Sequence, residues 1–126
     1  TIPFEIGKDK LKLDIKNKNA LFIVEGVTMY LQEWQVLNLL RQIRSYKGSI
    51  LVDFLNREYS SKEKSASEKI YKALFRLVLG TRKLFDFRID SINHGTKLLG
   101  KLGYKNVKHF KYNVPKTLDV LFYAKL

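Results

Sequence analysis

The sequence of 126 residues predicts a single α/β domain built around a parallel sheet. Two short segments, residues 20–25 and 49–54, have the nearly continuous apolar character of strands buried on both faces of such a sheet. Between them, residues 31–46 carry apolar side chains at helical spacing, with polar side chains opposite. A buried strand, an amphipathic helix and a second buried strand form a right-handed crossover unit, which makes the two strands parallel neighbours.

The helix of this crossover unit is defined by its two faces. Gly48 follows the helix and is predicted to stop it. The apolar stripe consists of Val36, Leu37, Leu40 and Ile43, and the polar face consists of Gln35, Asn38, Gln42 and Ser45.

Two further helices are predicted in the second half of the chain. A polar loop over residues 56–67 leads to Ser65 and Glu68, whose spacing is that of a capping box, and the helix that follows ends at Gly80. Residues 81–90 show no clear periodicity and are predicted as a loop. Asp90 or Ser91 then caps a short helix that ends at a left-handed turn. Its inward side chains are Ile92, Leu98, Leu99 and Leu102, and Gly103 forms the turn.

The chain closes with two predicted strands, residues 106–112 and 118–125, joined by a linker over residues 113–117 that is short enough for an antiparallel hairpin. The last strand is apolar on both faces, so we predict that it lies inside the sheet. The preceding strand carries Lys108, His109 and Lys111. Because charged side chains commonly protect a sheet edge, we place this strand outermost.

Composition and charge restrict the possible functions. The chain has no cysteine, which excludes disulfides, thiolate metal sites and cysteine nucleophiles, and its two histidines argue against zinc or catalytic-triad chemistry. Its formal net charge of +12 is spread along the sequence, so both a nucleic-acid-binding surface and a lysine-rich solvated surface remain open. No apolar stretch approaches the length of about 18 residues that a membrane span needs, and no signal peptide is recognised. We therefore predict a soluble, cytoplasmic protein.

The candidate ligand site follows from the predicted sheet, because ligands of open α/β sheets bind beyond the carboxyl ends of the parallel strands. Glu25 and Gly26 end the first strand, where glycine allows close approach of the backbone to a ligand, and Asp53 lies at the end of the second. The alternative for each acidic residue is a structural role, such as capping the following helix or pairing with a lysine.

Residues 22–31, FIVEGVTMYL, resemble the strand-four motif of the leucine carboxyl methyltransferase family, which includes tetracenomycin-type polyketide O-methyltransferases. Residues 51–55, LVDFL, stand where that family has its strand five, and residues 87–104 resemble its late segment, so the resemblance spans about residues 21–104. It implies a Rossmann-like class I methyltransferase fold that binds S-adenosylmethionine. In such folds the reversed last strand lies between strand five and an edge strand, as the predicted hairpin requires.

The resemblance also implies roles for individual residues. Glu25, with Gly26 beside it, would bind S-adenosylmethionine, while Tyr30 would face the substrate. Asp53 is assigned to the substrate side by its position at the end of the second strand. Arg88 would pair with a substrate carboxylate through its planar guanidinium group. The structural alternatives are an aromatic side chain packed at a helix start for Tyr30 and an ordinary surface ion pair for Arg88.

One motif of a complete methyltransferase is absent from the sequence. The seven glycines form no G-x-G loop. Residues 1–126 are therefore expected to be the C-terminal half of the domain, inactive alone. The missing half would come from an upstream segment or a separate polypeptide, and an unpaired edge of the sheet would favour a homo-oligomer.

The methyl acceptor and the rival functions stay open at this point. The acceptor would be a small molecule or a protein C-terminal carboxylate, and the sequence does not choose between a carboxylate and a hydroxyl group. The alternatives to a methyltransferase are a small basic nucleic-acid-binding module and a non-catalytic scaffold domain.

Overall fold

The structure, a computed structural model, describes residues 5–6, 9–15, 19–57, 87–111 and 119–125. Its elements are strand β1 (Leu21–Val24), a 3-10 helix (Thr28–Tyr30), helix α1 (Glu33–Ser45), strand β2 (Ser49–Leu55), helix α2 (Ile92–Lys101), strand β3 (Lys105–Lys111) and strand β4 (Asp119–Lys125). The predicted helix ending at Gly80, most of the loop before it and the linker over residues 113–117 lie outside the described residues. In the part of the chain that is described, no helix is long and apolar enough to cross a membrane.

The four strands form one sheet in the order β1-β2-β4-β3. Strands β1 and β2 are parallel, which confirms the crossover unit predicted from the sequence. Strand β4 is antiparallel to both of its neighbours, β2 and β3. The predicted terminal hairpin is therefore confirmed, with the apolar last strand inside the sheet and the lysine-bearing strand at its edge.

One face of the sheet forms the hydrophobic core. Residues paired across neighbouring strands share a face, so Phe22, Ile50, Val52 and Phe122 all project to the same side. Both described helices cover this side: the ring of Tyr46, which caps α1, lies 5.8 Å from that of Phe22, and α2 packs on β4. The fully buried side chains of this core include Val36, Leu40, Ile50, Val52, Phe54, Ile89, Leu99, Val120 and Phe122.

Helix α1 begins two residues later than the sequence predicts and ends before the predicted stop. Its first turn carries a capping box between Gln32 and Gln35, preceded by a 3-10 helix that the apolar pattern does not reveal. At its end, the left-handed residue is Lys47, with φ of 56°, rather than Gly48. Gly48 is required for close packing instead, because a Cβ atom there would lie 2.5 Å from the carbonyl oxygen of Ala20.

The polar face of α1 is partly covered by the amino-terminal segment of the chain. Gln42 Oε1 accepts a hydrogen bond from the Leu11 amide at 2.6 Å, and the Tyr46 hydroxyl accepts one from the Leu13 amide at 3.0 Å. The Gln35 side chain donates to the carbonyl oxygen of Ile6 at 3.1 Å. The glutamines that look like solvated side chains in the sequence thus hold an extended segment against the helix.

Helix α2 follows the sequence prediction closely. Ser91 is its N-cap, with Oγ accepting a hydrogen bond from the His94 amide at 3.2 Å, and Gly103 forms the left-handed turn after it with φ of 87°. The Tyr104 hydroxyl then donates to the carbonyl oxygen of Leu40 at 2.9 Å, which joins the end of α2 to α1. Burial raises the pKa of Tyr104 to about 12, so this donor stays protonated over the ordinary pH range.

The second face of the sheet departs from the prediction. Leu21 and Ile23 of β1 are 52% and 61% exposed, so the prediction that both faces of this strand are buried is wrong. The physical reason is that α1 and α2 both pack on the opposite face, and β1 pairs with β2 alone among the described strands. An apolar run indicates side chains that favour burial, but it does not identify a neighbour that covers them.

Candidate functional site

The carboxyl ends of β1 and β2 meet at one edge of the sheet. The parallel register pairs Val24 with Val52, so Glu25 and Asp53, the next residue of each segment, lie side by side. This is the arrangement expected for the ligand site of an open α/β sheet, and it brings together the two acidic residues that the sequence singled out.

Glu25 and Gly26 form an open turn at this edge. Glu25 is exposed, and Gly26 has φ of 66°, in the left-handed region that glycine adopts without strain. Among the described residues, no atom lies within 4 Å of a Cβ atom built on Gly26, so the turn is open at this position. A ligand can therefore approach both the backbone of the turn and the Glu25 carboxylate.

Asp53, by contrast, is buried and fastens the turn to β2. It is 4% exposed, and its Oδ2 accepts a hydrogen bond from the Gly26 amide at 2.8 Å. The Thr28 hydroxyl donates to the main-chain carbonyl of Asp53 at 2.7 Å. Thr28 is itself 1% exposed, and its role was not visible in the sequence because its partner lies 25 residues away.

The second carboxylate oxygen of Asp53 is a buried acceptor that lacks a partner. Among the described residues, no group donates a hydrogen bond to Asp53 Oδ1. Burial raises the pKa of the Asp53 carboxyl above its usual range, and the negative charge of Glu25 raises it further, while the hydrogen bond from Gly26 opposes both. Asp53 thus shapes the site from beneath, and its predicted contact with substrate stays a prediction.

The pH dependence of stability provides a test of this burial. A raised pKa in the folded state means that Asp53 contributes stability below its unfolded value of 3.8, which is lost as the pH rises through the folded pKa. Asparagine does not ionise, so D53N does not lose this stability as the pH rises. The unfolding free energy of D53N relative to the unmodified chain should therefore be constant below pH 3.8 and should increase as the pH rises above it.

Urea titrations of both proteins between pH 3 and pH 8 measure this difference. Changing the carboxylate of Asp53 to an amide also changes the unfolding free energy by an amount that does not depend on pH. The test is therefore how the difference between the two proteins changes with pH, and not its absolute size. A difference that stays flat, or that decreases with pH, would contradict a raised pKa for Asp53.

Two exposed aromatic side chains flank the same edge. Tyr30, which ends the 3-10 helix, is 59% exposed, and Trp34, in the first turn of α1, is 53% exposed. The Trp34 indole donates to Gln32 Oε1 at 2.6 Å, which fixes its ring near the start of the helix. Sequence reasoning singled out Tyr30 but not Trp34, although the spacing of four residues is a signal that both lie near one helix start.

Arg88 belongs to a later segment of the chain that pairs with residues 55–57 at the end of β2. Ile89 forms a parallel bridge with Asn56. Its amide donates a hydrogen bond to the Leu55 carbonyl at 2.9 Å, and its carbonyl accepts one from the Arg57 amide at 2.9 Å. Arg88 is half-buried between the buried side chains of Phe87 and Ile89. The structure thus brings Arg88 to the same carboxyl edge of the sheet, and an exposed ion pair in this region joins Arg57 to Asp90 at 3.3 Å.

Comparisons with known proteins give a distant structural similarity. No protein-family model matches the chain, and no curated protein matches its sequence. Among solved structures, a protein of Nostoc punctiforme PCC 73102 described as a "putative O-methyltransferase" is similar, with a TM-score of 0.44 and 16% sequence identity. The match covers 84% of this chain and 30% of that protein, so the chain spans less than a third of its length.

Proposed function

We propose that this chain is the C-terminal part of a Rossmann-like class I methyltransferase domain, and that it contributes Glu25 and Gly26 to a site for S-adenosylmethionine. The complete protein would transfer the methyl group to a carboxylate or hydroxyl oxygen. We further propose that it is related to the leucine carboxyl methyltransferases, because residues 22–31 resemble a motif of that family.

One observation carries the proposal: an exposed glutamate and an open glycine turn end a parallel strand at the edge where ligands of such sheets bind. The strand order supports it as well. A reversed strand, β4, lies between the parallel strand β2 and the edge strand β3, which is the arrangement that the resemblance implies.

The residues at this edge fit part of the cofactor. The Glu25 carboxylate can accept hydrogen bonds from hydroxyl or amino groups, and the open space above Gly26 admits a ligand without a clash. A second strand-to-helix loop is needed for the rest, because no G-x-G sequence occurs among the seven glycines. We propose that a further segment or chain supplies this loop beside β1, whose second edge pairs with no described strand.

S-adenosylmethionine supplies an electrophilic methyl group on a sulfonium. An in-line displacement of this kind depends on alignment more than on acid-base catalysis, because a carboxylate nucleophile is already ionised. The residues of this chain would orient the two reactants. In the proposal, Glu25 holds the cofactor, and the turn bound by Asp53 keeps Glu25 at the mouth of the site.

The acceptor would approach from the side of the exposed aromatic residues. Tyr30 and Trp34 offer two large apolar surfaces at the same edge, which suit the body of an aromatic or peptide acceptor. Arg88 would provide a cation for an acceptor carboxylate. A hydroxyl acceptor would need a base, and we assign none.

Calorimetric titration with S-adenosylhomocysteine tests the proposal in the protein that carries both this chain and the glycine-rich loop. We expect E25Q to weaken binding by about tenfold or more, because a hydrogen bond to a charged group is worth about 1.5–3 kcal/mol. The variant retains the size of the side chain and removes its charge.

The matched control is E33Q, which removes the same charge from the exposed first residue of α1. E33Q should leave the affinity within about twofold, since its carboxylate lies beyond the turn and any effect of it is screened. Equal affinities of E25Q and the unmodified protein would remove Glu25 from the site, and absence of binding by the unmodified protein would reject the function.

A further inference from the structure

A basic cavity lies at the amino ends of β2 and β3, whereas the proposed cofactor site lies at the carboxyl ends of β1 and β2. It has a volume of about 450 Å³ and is lined by Arg41, Arg44, Ser45, Lys47, Gly103 and Lys105. We call it the four-cation cavity, after its two arginines and two lysines. This volume is in the range of small-molecule sites, which is about 300–1,000 Å³.

The four-cation cavity is assembled from three separate parts of the fold. The last turns of α1 contribute Arg41, Arg44 and Ser45, and the turn that follows contributes Lys47. Gly103 comes from the turn after α2, and Lys105 is the first residue of β3. These residues lie at the amino ends of β2 and β3. Asp53 lies four residues beyond Ser49 in β2, which corresponds to about 13 Å along the strand, so the cavity is separate from Gly26 and Asp53.

Two arginines and two lysines give this cavity its positive charge. Among the described residues, no carboxylate forms an ion pair with the two arginines or the two lysines. The carboxyl end of α1 contributes a partial negative charge of about half an elementary charge, which favours Arg44 at this position. Four formal positive charges exceed that partial charge, so the cavity retains a positive potential.

The guanidinium group of Arg44 lies against Gly103. A Cβ atom on Gly103 would lie 2.7 Å from both Nε and Nη2 of Arg44 and 2.8 Å from Cζ. The guanidinium group therefore rests directly against the backbone of the turn, in space that any other residue would fill. The planar fork of this guanidinium group is suited to two parallel hydrogen bonds with a tetrahedral oxyanion.

We propose that the four-cation cavity binds a phosphate group, carried by a phosphomonoester or by a phosphodiester backbone. Arg44 donates its two parallel hydrogen bonds to the phosphate oxygens, while Arg41, Lys47 and Lys105 provide the surrounding positive charge. The site does not depend on the methyltransferase proposal, because it lies at the other edge of the sheet and uses none of the same residues.

Binding of two probes to the full chain tests this site. Inorganic pyrophosphate represents a small phosphorylated ligand, and a fluorescein-labelled single-stranded oligonucleotide represents a phosphodiester backbone. We expect R44Q to weaken binding of the better probe by about tenfold and R44K by a smaller factor, since lysine keeps the charge but loses the fork. Competition of pyrophosphate with the oligonucleotide would place both in one site.

The control is K97Q, which removes one charge from an exposed position on α2 that does not line the cavity. Binding within about twofold of the unmodified chain is expected for K97Q, because charge at that distance is screened at physiological salt. Binding of pyrophosphate alone supports a phosphomonoester ligand, and tighter binding of the oligonucleotide supports a phosphodiester. Equal losses in R44Q and K97Q would show diffuse charge attraction and overturn the proposal, as would no binding of either probe.

Discussion

Phe122→Ala should lower the free energy of unfolding of the chain by about 3–5 kcal/mol, the usual cost of removing a buried aromatic ring. Phe122 is fully buried in the central strand β4, and its ring lies 5.4 Å from that of Phe54. The Phe54 ring in turn lies 5.5 Å from that of Phe87, so the cavity left behind has rigid walls and cannot collapse. Because whole domains are stable by about 5–15 kcal/mol, this variant is expected to be close to unfolding.

Phe110→Ala is the matched control for this substitution. This substitution removes the same kind of ring from the neighbouring strand β3, where Phe110 is 51% exposed at the edge of the sheet. Its loss should cost less than about 1 kcal/mol, since little area is removed from water on folding. Denaturant titrations of the two variants measure both values, and similar costs would contradict the placement of the core on the face that carries Phe122.

Gly95→Ala should destabilise the chain, whereas Gly100→Ala in the same helix should stabilise it. A Cβ atom on Gly95 would lie 2.5 Å from Cζ of Phe122, a ring that is itself held by Phe54. The overlap should cost about 1–3 kcal/mol. At the exposed Gly100 a Cβ atom meets nothing within 4 Å, so alanine should gain about 0.5–1 kcal/mol in helix propensity.

Combining the substitutions isolates the contact. In the Phe122→Ala background the atoms that obstruct a Cβ on Gly95 are gone, so Gly95→Ala should become neutral or stabilising there. The resulting interaction energy should be at least about 1 kcal/mol in a double-mutant cycle. If Gly95→Ala costs the same in both backgrounds, α2 does not pack on β4 through this glycine.

The order of the strands was predictable because it depends on side-chain patterns within each strand. Continuous apolar character placed β4 inside the sheet, and the lysines of β3 placed that strand at the edge. The turn at Gly103 was predictable for a similar local reason, since only glycine adopts its φ of 87° without strain.

Features that depend on distant partners were not predictable. Asp53 looks like an acid at the mouth of a site, but its hydrogen bonds to the turn over residues 26–28 make it a buried support. Gln42 looks solvated on a helical wheel, but it holds Leu11. The exposure of Ile23 was missed because an apolar run does not identify the surface that covers it. In the four-cation cavity, likewise, two stretches that are far apart in the sequence, residues 41–47 and 103–105, meet only after folding.

The central claim is that the turn after β1 holds S-adenosylmethionine. The most direct measurement is the change in backbone amide chemical shifts when S-adenosylhomocysteine is added to the ¹⁵N-labelled protein that carries the glycine-rich loop. We predict large shifts at Glu25 and Gly26 and small shifts at Gly100 and Lys105, on the far side of the fold. Saturable binding that leaves the Gly26 amide unchanged would contradict the claim.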